Sequence, residues 1–278
     1  MRFFKITLIF LSLFVSQLAT TARPVNAAEP FAVVELFTSQ GCSDCPPADA
    51  LLRALTEDAY ASKARIFTLS FHVDYWNNLG WVDPFSSAQF TERQRLYAKI
   101  NKARTVYTPQ LIINGTRAFA GYNYDLAQQS LSEVLSEPAA VALELEIFPG
   151  RAITDSLELS YDVTGAAPSD LLHIALVERG LTSDISSGEN AGLRSAHHNV
   201  VRSFQTISLK KSHGMTEINI PQGVVLKNAS LIGFVQNPND MIISGAAGLD
   251  LVNPFDGPRV KAQGLLRVDT ERPNLSAP

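Results

Sequence analysis

Apolar residues follow two different periods along the chain. Between positions 31 and 137, short apolar runs alternate with segments that repeat apolar residues at helical spacing. Phe31–Phe37 is an apolar run that predicts a buried strand, and a helix follows from Ala48 to near Asp58. A second apolar run spans Ala64–Phe71. A strand, a helix and a strand in this order predict two parallel strands joined by a right-handed crossover.

The next elements of this first stretch carry clear start and turn signals. Ser86 with Gln89 three residues later is a capping-box pattern and predicts the start of a helix. Asn114-Gly115 lies between two short apolar segments and predicts a tight hairpin, because both residues tolerate positive φ. A last helix is expected before Pro138.

The second stretch, from position 139 to about 247, has a different hydrophobic pattern. Its apolar residues alternate with polar ones in about seven short segments, which Gly, Pro, Asn and Ser separate. This pattern predicts a β-sandwich. One connection, Glu178–Asn199, is unusually long and is either a solvated loop or a segment that covers a site. We favour the solvated loop, because the adjacent side chains of His197 and His198 tend to point apart.

The sequences of the two termini predict segments that do not belong to the folded domains. Residues 1–28 have a positive start, a short apolar run and small residues at their end, as a secretory signal peptide does. The apolar run is too short for a comfortable membrane span. We therefore expect an exported protein, periplasmic or secreted, without a stable membrane span; an uncleaved anchor is the alternative. Residues 251–278 predict a loosely held tail, so the expected domains are 29–137 and 138–250.

Charge narrows the classes of partner. The formal net charge is -4, and both signs are spread along the chain. This distribution argues against a surface dedicated to nucleic acid or to anionic membranes. We expect no nucleic-acid partner.

The candidate chemistry lies at the turn after the first strand. Cys42 and Cys45 are the only two cysteines, and the turn between them leads into the predicted helix. Backbone N–H groups without partners at a helix start, together with the helix dipole, would favour the thiolate of Cys42. Cys45 lies close enough to close a small disulfide ring. This spacing predicts a redox pair. The five histidines show no ligand spacing around it, so we assign no metal site.

Four other residues of this stretch are candidate site residues. Glu35 stands inside the first predicted strand and is either an edge residue that faces water or a buried carboxylate that carries a proton during thiol exchange. His72, Tyr75 and Trp76 follow the second strand, and parallel neighbours end on the same side of a sheet. His72 would act as an acid or base, and Tyr75 and Trp76 would line a substrate surface. The alternative is a packed aromatic loop.

The order of these elements resembles the thioredoxin superfamily over residues 31–137. The resemblance implies an α/β thioredoxin-like domain, a four-stranded mixed sheet with helices on both faces, followed here by a mainly-β, sandwich-like C-terminal domain. It implies a cis Pro109 that faces the cysteines, and backbone pairing of Thr108 with a substrate polypeptide. Glu35 resembles the buried acid of the superfamily, although one extra residue separates it from Cys42. The strings GCSDCPPAD, HVDYWNNLGW, VYTPQ and HNVVR are similar to a family of exported bacterial thioredoxin-like proteins whose function is unassigned.

These observations predict an exported thiol–disulfide oxidoreductase that needs no cofactor. Cys42 would be the nucleophile and Cys45 the resolving thiol. The partners would be a protein or peptide thiol or disulfide and a redox partner, and acidic Asp44 favours a reductase or isomerase. Two alternatives stay open: a copper-binding protein that uses Cys42, Cys45 and His72, because soft thiolates suit Cu(I), and a non-catalytic adaptor in the cell envelope.

Overall fold

A computed structural model describes residues 28–147, 155–251 and 260–261. All but the last residue of the predicted targeting segment, and almost all of the predicted tail, lie outside these residues. In the described part, no helix is long and apolar enough to cross a membrane. The helices are α1 (Pro46–Ser62), α2 (Ala88–Ile100) and α3 (Tyr124–Val134). The strands are β1 (Ala32–Thr38), β2 (Ile66–His72), β3 (Gln110–Ile113), β4 (Arg117–Ala120), β5 (Ala142–Ile147), β6 (Ser156–Thr164), β7 (Leu171–Glu178), β8 (Leu181–Asp184), β9 (Arg194–His197), β10 (Val200–Ser208), β11 (His213–Asn219), β12 (Ala229–Gln236), β13 (Ile243–Asp250) and β14 (Val260–Lys261).

Eight of these strands form one mixed sheet, in the order β13-β12-β7-β10-β2-β1-β3-β4. The parallel pair β1–β2 lies inside it, and β3 runs antiparallel to β1. The predicted thioredoxin-like α/β domain with its own four-stranded sheet, followed by a sandwich with separate sheets, is therefore wrong. Strands from both stretches share a sheet, and strands outnumber the three α helices of the described chain.

The junction between β2 and β10 explains why the prediction was wrong. The side chain of Asn199, just before β10, donates hydrogen bonds to the carbonyl and hydroxyl oxygens of Thr68 in β2, at 3.1 and 2.8 Å. The carbonyl of Asn199 accepts from the N–H of Ser70 at 2.9 Å. These contacts dock β10 on the outer edge of β2. Hydrophobic periodicity identifies a strand but does not tell which edge it joins.

The helices and the second sheet cover both faces of the large sheet. Helices α1 and α3 pack on one face of the β1 region, and α2 packs on the other face with residues of β7, β10, β12 and β13. The second sheet has the order β11-β6-β5-β14. Its strands β5, β6 and β11 pack apolar side chains against β7, β12 and β13. Strand β7 therefore contributes to two cores, with Leu172, Ile174 and Leu176 in one and Ala175 and Val177 in the other.

Local signals in the sequence account for the turns. Ser87, rather than Ser86, caps α2, and its hydroxyl accepts from the N–H of Gln89 at 3.2 Å. The predicted Asn114-Gly115 hairpin between β3 and β4 is confirmed, with φ of 46° and 79°. Both values lie in the left-handed region that such a turn requires.

Candidate functional site

The two cysteines lie at the turn between β1 and α1. They form a disulfide with their Cα atoms 5.4 Å apart, so the predicted bond between Cys42 and Cys45 is confirmed. Cys45 is the N-cap residue of α1, and its N–H donates to the carbonyl of Cys42 at 3.2 Å. Each cysteine is only 1% exposed. The disulfide is therefore at a helix start but covered from solvent.

The first turn of α1 provides fewer free donors than the sequence suggested. Pro46 and Pro47 have no N–H. The N–H groups of Ala48 and Asp49 both donate to the carbonyl of Cys45, at 2.9 and 3.1 Å. The prediction that unpaired N–H groups of this turn stabilise a Cys42 thiolate is wrong for these positions, because their donors are missing or used. The helix dipole remains as a stabilising influence.

A hairpin from the second half of the chain covers the disulfide. Strands β8 and β9 pair with each other, and residues 185–193 between them form what we call the covering segment. The amide of Asn190 donates to the carbonyls of Gln40 and Cys42, at 2.9 and 2.8 Å. Glu189 accepts from the N–H of Ser43 at 3.2 Å. The solvated-loop interpretation of this connection is therefore wrong, since Asn190 is buried against the cysteine turn.

Four buried side chains form a row behind the cysteine turn: Asp49, His197, His72 and Asp83. Asp49 Oδ1 accepts from the hydroxyl of Thr38 at 2.9 Å, and Asp49 Oδ2 lies 3.9 Å from His197 Nδ1. The rings of His197 and His72 have centroids 4.8 Å apart. His72 Nδ1 lies 2.7 Å from Asp83 Oδ2. We refer to these residues as the buried row.

Burial and neighbouring charges shift the pKa values of the side chains in the buried row in different directions. Burial raises the pKa of Asp49 to about 7, against the opposing charge of His72 and the hydroxyl of Thr38. Burial and the charge of His72 lower the pKa of His197 to about 3. Burial alone would lower the pKa of His72, but the charge of Asp83 and its hydrogen bond raise it. The carboxyl of Asp49 is therefore expected to titrate near neutral pH.

Glu35 lies apart from this row. It is fully buried, accepts from Arg93 Nε at 2.6 Å and also accepts from the hydroxyl of Tyr97. Its position and that of Thr38 are three apart in β1, so their side chains point to opposite faces of the sheet. Thr38 points towards Asp49, and Glu35 points towards α2. The proton-carrying role of Glu35 stays a prediction.

Asp49 was not predicted as a site residue, although its position in the sequence indicates one. Side chains four residues apart on a helix lie on the same face. Asp49 follows Cys45 by four residues and therefore lies on its side of α1. A carboxyl at this place in a predicted helix was the available indication of an acid near the resolving cysteine.

The Thr108–Pro109 peptide bond is cis, as predicted. Gly121 locates Pro109 relative to α1. A Cβ on Gly121 would lie 3.0 Å from the Cβ of Ala48 and 3.1 Å from that of Pro109. Pro109 is therefore close to Ala48, which lies in the first turn of α1, three residues after Cys45.

The aromatic residues predicted to line a substrate surface lie next to this proline. Trp76 Nε1 donates to the hydroxyl of Thr108 at 2.8 Å, and Tyr75 donates to Gln94 Oε1 at 3.2 Å. Trp76 also borders the cysteine turn, since a Cβ on Gly41 would lie 3.2 Å from its Cβ. The structure thus brings Tyr75, Trp76, Thr108 and Pro109 together. His72 is separate from them, fully buried in the row.

Metal ligands are not grouped at this site. Within the described ranges, no three His, Cys, Asp or Glu side chains lie together as a metal ion would require. The Nδ1 atom of His72 is engaged with Asp83.

Comparisons with known proteins place the chain without naming an activity. The model of a family described as "Protein of unknown function (DUF1223)" matches residues 33–236. Among solved structures, protein AGR_C_4864 from Agrobacterium tumefaciens is 28% identical, with 80% of this chain and 96% of that chain covered and a TM-score of 0.61. HBP35 of Porphyromonas gingivalis is 13% identical over 90% of this chain and 81% of its own, with a TM-score of 0.58, which indicates a shared fold alone. No curated protein matches.

Proposed function

The chain belongs to the DUF1223 family of proteins of unknown function, and we propose that it is a thiol–disulfide oxidoreductase whose Cys42–Cys45 pair alternates between a disulfide and two thiols. One observation carries the proposal: the only two cysteines of the chain are joined across the turn that starts α1. A disulfide that closes so short a loop contributes little to stability through chain entropy. Chemistry explains the bond better than stability does.

The proposed reaction transfers two electrons. In the reduced protein, the thiolate of Cys42 attacks one sulfur of a substrate disulfide and forms a mixed disulfide, and the other substrate sulfur leaves as a thiolate. Cys45 then loses its proton and attacks Cys42 Sγ. This step forms the Cys42–Cys45 bond and releases the second substrate thiolate. A dithiol reductant returns the pair to two thiols.

Asp49 is our candidate acceptor for the proton of Cys45. It lies one helical turn after Cys45, and its carboxyl is hydrogen-bonded to Thr38 inside the protein. A general base works best when its pKa lies near the working pH. The pKa of Asp49 is raised to about 7, mainly by burial, so this carboxyl can both take up and release a proton there.

The substrate surface would be the patch next to Pro109. Trp76 and Thr108 are half-buried, and Tyr107 and Tyr122 near them are 43% and 57% exposed. Exposed aromatic rings favour contact with a polypeptide. Because Cys42 is only 1% exposed, a protein or peptide disulfide reaches it only when the covering segment moves. Export through the predicted targeting segment is part of this proposal, since disulfides persist outside the cytosol.

Trapping of the mixed disulfide tests the proposal. Reduced Cys45→Ser protein is expected to form a stable covalent adduct with a model disulfide such as insulin, because no thiol remains to resolve it. Cys42→Ser is the matched control: it keeps one cysteine of the pair but lacks the nucleophile, so at least about tenfold less adduct is expected. Wild-type protein should reduce insulin with dithiothreitol as the electron source. Equal adduct from both variants, or no turnover by the wild type, would contradict the proposal.

A further inference from the structure

The orientation of Gln40 can be assigned from its neighbours. An indole Nε1 is a donor only. Trp81 Nε1 donates to one end of the Gln40 amide at 3.0 Å, so that end is the oxygen. The NH₂ end therefore faces Ser183 Oγ at 2.9 Å and His197 Nε2 at 3.1 Å.

This orientation determines the tautomer of His197. An NH₂ group donates and does not accept, so His197 Nε2 must be the acceptor and carries no hydrogen. Burial keeps the imidazole neutral, with a pKa of about 3. The single ring hydrogen of a neutral imidazole is then on Nδ1.

The Nδ1–H of His197 faces Asp49. The distance from His197 Nδ1 to Asp49 Oδ2 is 3.9 Å, which is about 1 Å longer than the donor–acceptor distance of an N–H···O hydrogen bond. Within the described chain, this buried nitrogen has no hydrogen-bond partner. The other titratable groups that face Asp49 are His72 at the end of β2 and Asp83 in the loop before α2. A small shift of the carboxylate, or one water molecule between the two groups, would complete the contact.

We propose that His197 is a positioning residue: its Nδ1–H supports the ionised carboxylate of Asp49 and so links docking of the β8–β9 hairpin to the proton transfer at Cys45. The inference rests on the proposed function, because it describes how proton transfer at the same site is regulated. His197 ends β9, and the covering segment precedes β9, so the hairpin that shields the disulfide also supplies this N–H. When the hairpin lifts, Cys42 becomes accessible and Asp49 loses the imidazole as its neighbour.

Three substitutions in the full-length chain test this link. His197→Phe removes the N–H. His197→Gln keeps an N–H donor. Trp81→Phe leaves His197 in place but frees the Gln40 amide to rotate, which allows the other tautomer. The readout is the titration midpoint of the Asp49 carboxyl in the oxidised protein, followed by ¹³C NMR and assigned with Asp49→Asn.

We expect His197→Phe to raise the midpoint by about one pH unit, a tenfold change in proton affinity, because the carboxylate loses the N–H group that faces it. Trp81→Phe should raise it in the same direction, and His197→Gln should stay close to wild type. An unchanged midpoint in His197→Phe, or an equal rise in His197→Gln, would overturn the inference. If His197→Phe fails to fold, the direction of the Trp81→Phe shift decides.

A second readout separates this inference from the proposed function. The pH profile for release of substrate from the mixed disulfide should shift in His197→Phe by the same amount as the carboxyl midpoint. A shifted midpoint with an unshifted profile would overturn the link to Cys45. The carboxyl titration of the oxidised protein needs no turnover, so failure of turnover would contradict the proposed function while the titration still tests the role of His197.

Discussion

Asn190 and Asp49 are the two residues that most change the interpretation of the cysteine pair. Asn190 bonds two carbonyls of the cysteine turn, and Asp49 places a carboxyl inside the protein one helical turn after Cys45. The cysteine pair was predictable from its Cys-x-x-Cys motif, and the cis Pro109 was predictable from the resemblance to the thioredoxin superfamily. Asn190 was not, since nothing in its local sequence shows that a loop nearly 150 positions later folds onto Cys42.

Removal of Asn190 should make the disulfide easier to reduce. Asn190→Ala loses two hydrogen bonds, each worth about 1 kcal/mol, so the covering segment should open more often. We expect the rate of reduction by dithiothreitol in the native protein to rise at least about tenfold. Asn239→Ala, in the exposed turn before Met241, is the matched control. Equal rates in all three proteins would show that the segment does not limit access.

The buried carboxyl of Asp49 should make stability depend on pH. Its native pKa of about 7 exceeds the usual 3.8 of the unfolded chain, so the native state holds a proton that the unfolded state has lost. Stability from this group is therefore present below about pH 4 and is lost as the pH rises to about 7. Asp49→Asn should be more stable than wild type at pH 8, by roughly 2–4 kcal/mol, and similar to it at pH 4.

Urea unfolding of the oxidised protein at both pH values measures this difference. Asp125→Asn, at the exposed start of α3, serves as the control substitution. A stability gain of Asp49→Asn that is the same at pH 4 and pH 8 would contradict a titrating buried carboxyl.

At the scale of elements, turn chemistry was predictable and strand pairing was not. The Asn114-Gly115 hairpin and the Cys-x-x-Cys turn are local features, and both form as the sequence indicates. The β8–β9 hairpin and the docking of β10 on β2 depend on contacts between residues far apart in the chain. Those contacts place the covering segment over the disulfide.

The β3–β4 turn should tolerate no side chain at Gly115. A Cβ there would lie 1.8 Å from the carbonyl oxygen of Met241, and φ is +79°. Gly223 has a similar φ of +84°, and a Cβ there would have no atom within 4 Å. Substitution of Gly223 therefore measures the cost of the backbone conformation without a steric clash. We expect Gly223→Ala to lose about 1 kcal/mol and Gly115→Ala at least about 3 kcal/mol in the free energy of unfolding. Equal losses would show that the turn moves away from Met241 freely.

At the scale of the whole molecule, a buried ion pair ties the two stretches of the chain together. Arg93 of α2 bonds Glu35 of β1 at 2.6 Å and Gln236 of β12 at 3.2 Å. The same guanidinium lies over the rings of Phe71 and Phe234. The shared sheet and this shared core lead us to expect one cooperative unfolding transition.

Loss of Arg93 should destabilise the protein strongly. Arg93→Leu leaves the carboxylate of Glu35 buried without its cationic partner, at a cost of about 3–5 kcal/mol. Arg95→Leu, two positions along α2, breaks an exposed ion pair with Glu92 and should cost about 1 kcal/mol or less. Adding Glu35→Leu to Arg93→Leu should restore most of the loss. Chemical unfolding measures all three, and a double variant as unstable as Arg93→Leu would contradict the charge argument.

The most direct test of the redox assignment is the equilibrium of the Cys42–Cys45 pair with a buffer of reduced and oxidised dithiothreitol. We predict that the fraction of disulfide follows the buffer reversibly while far-UV circular dichroism stays native at both ends. A disulfide that remains intact across the whole range, or that is reduced only when the chain unfolds, would identify it as structural and contradict the account.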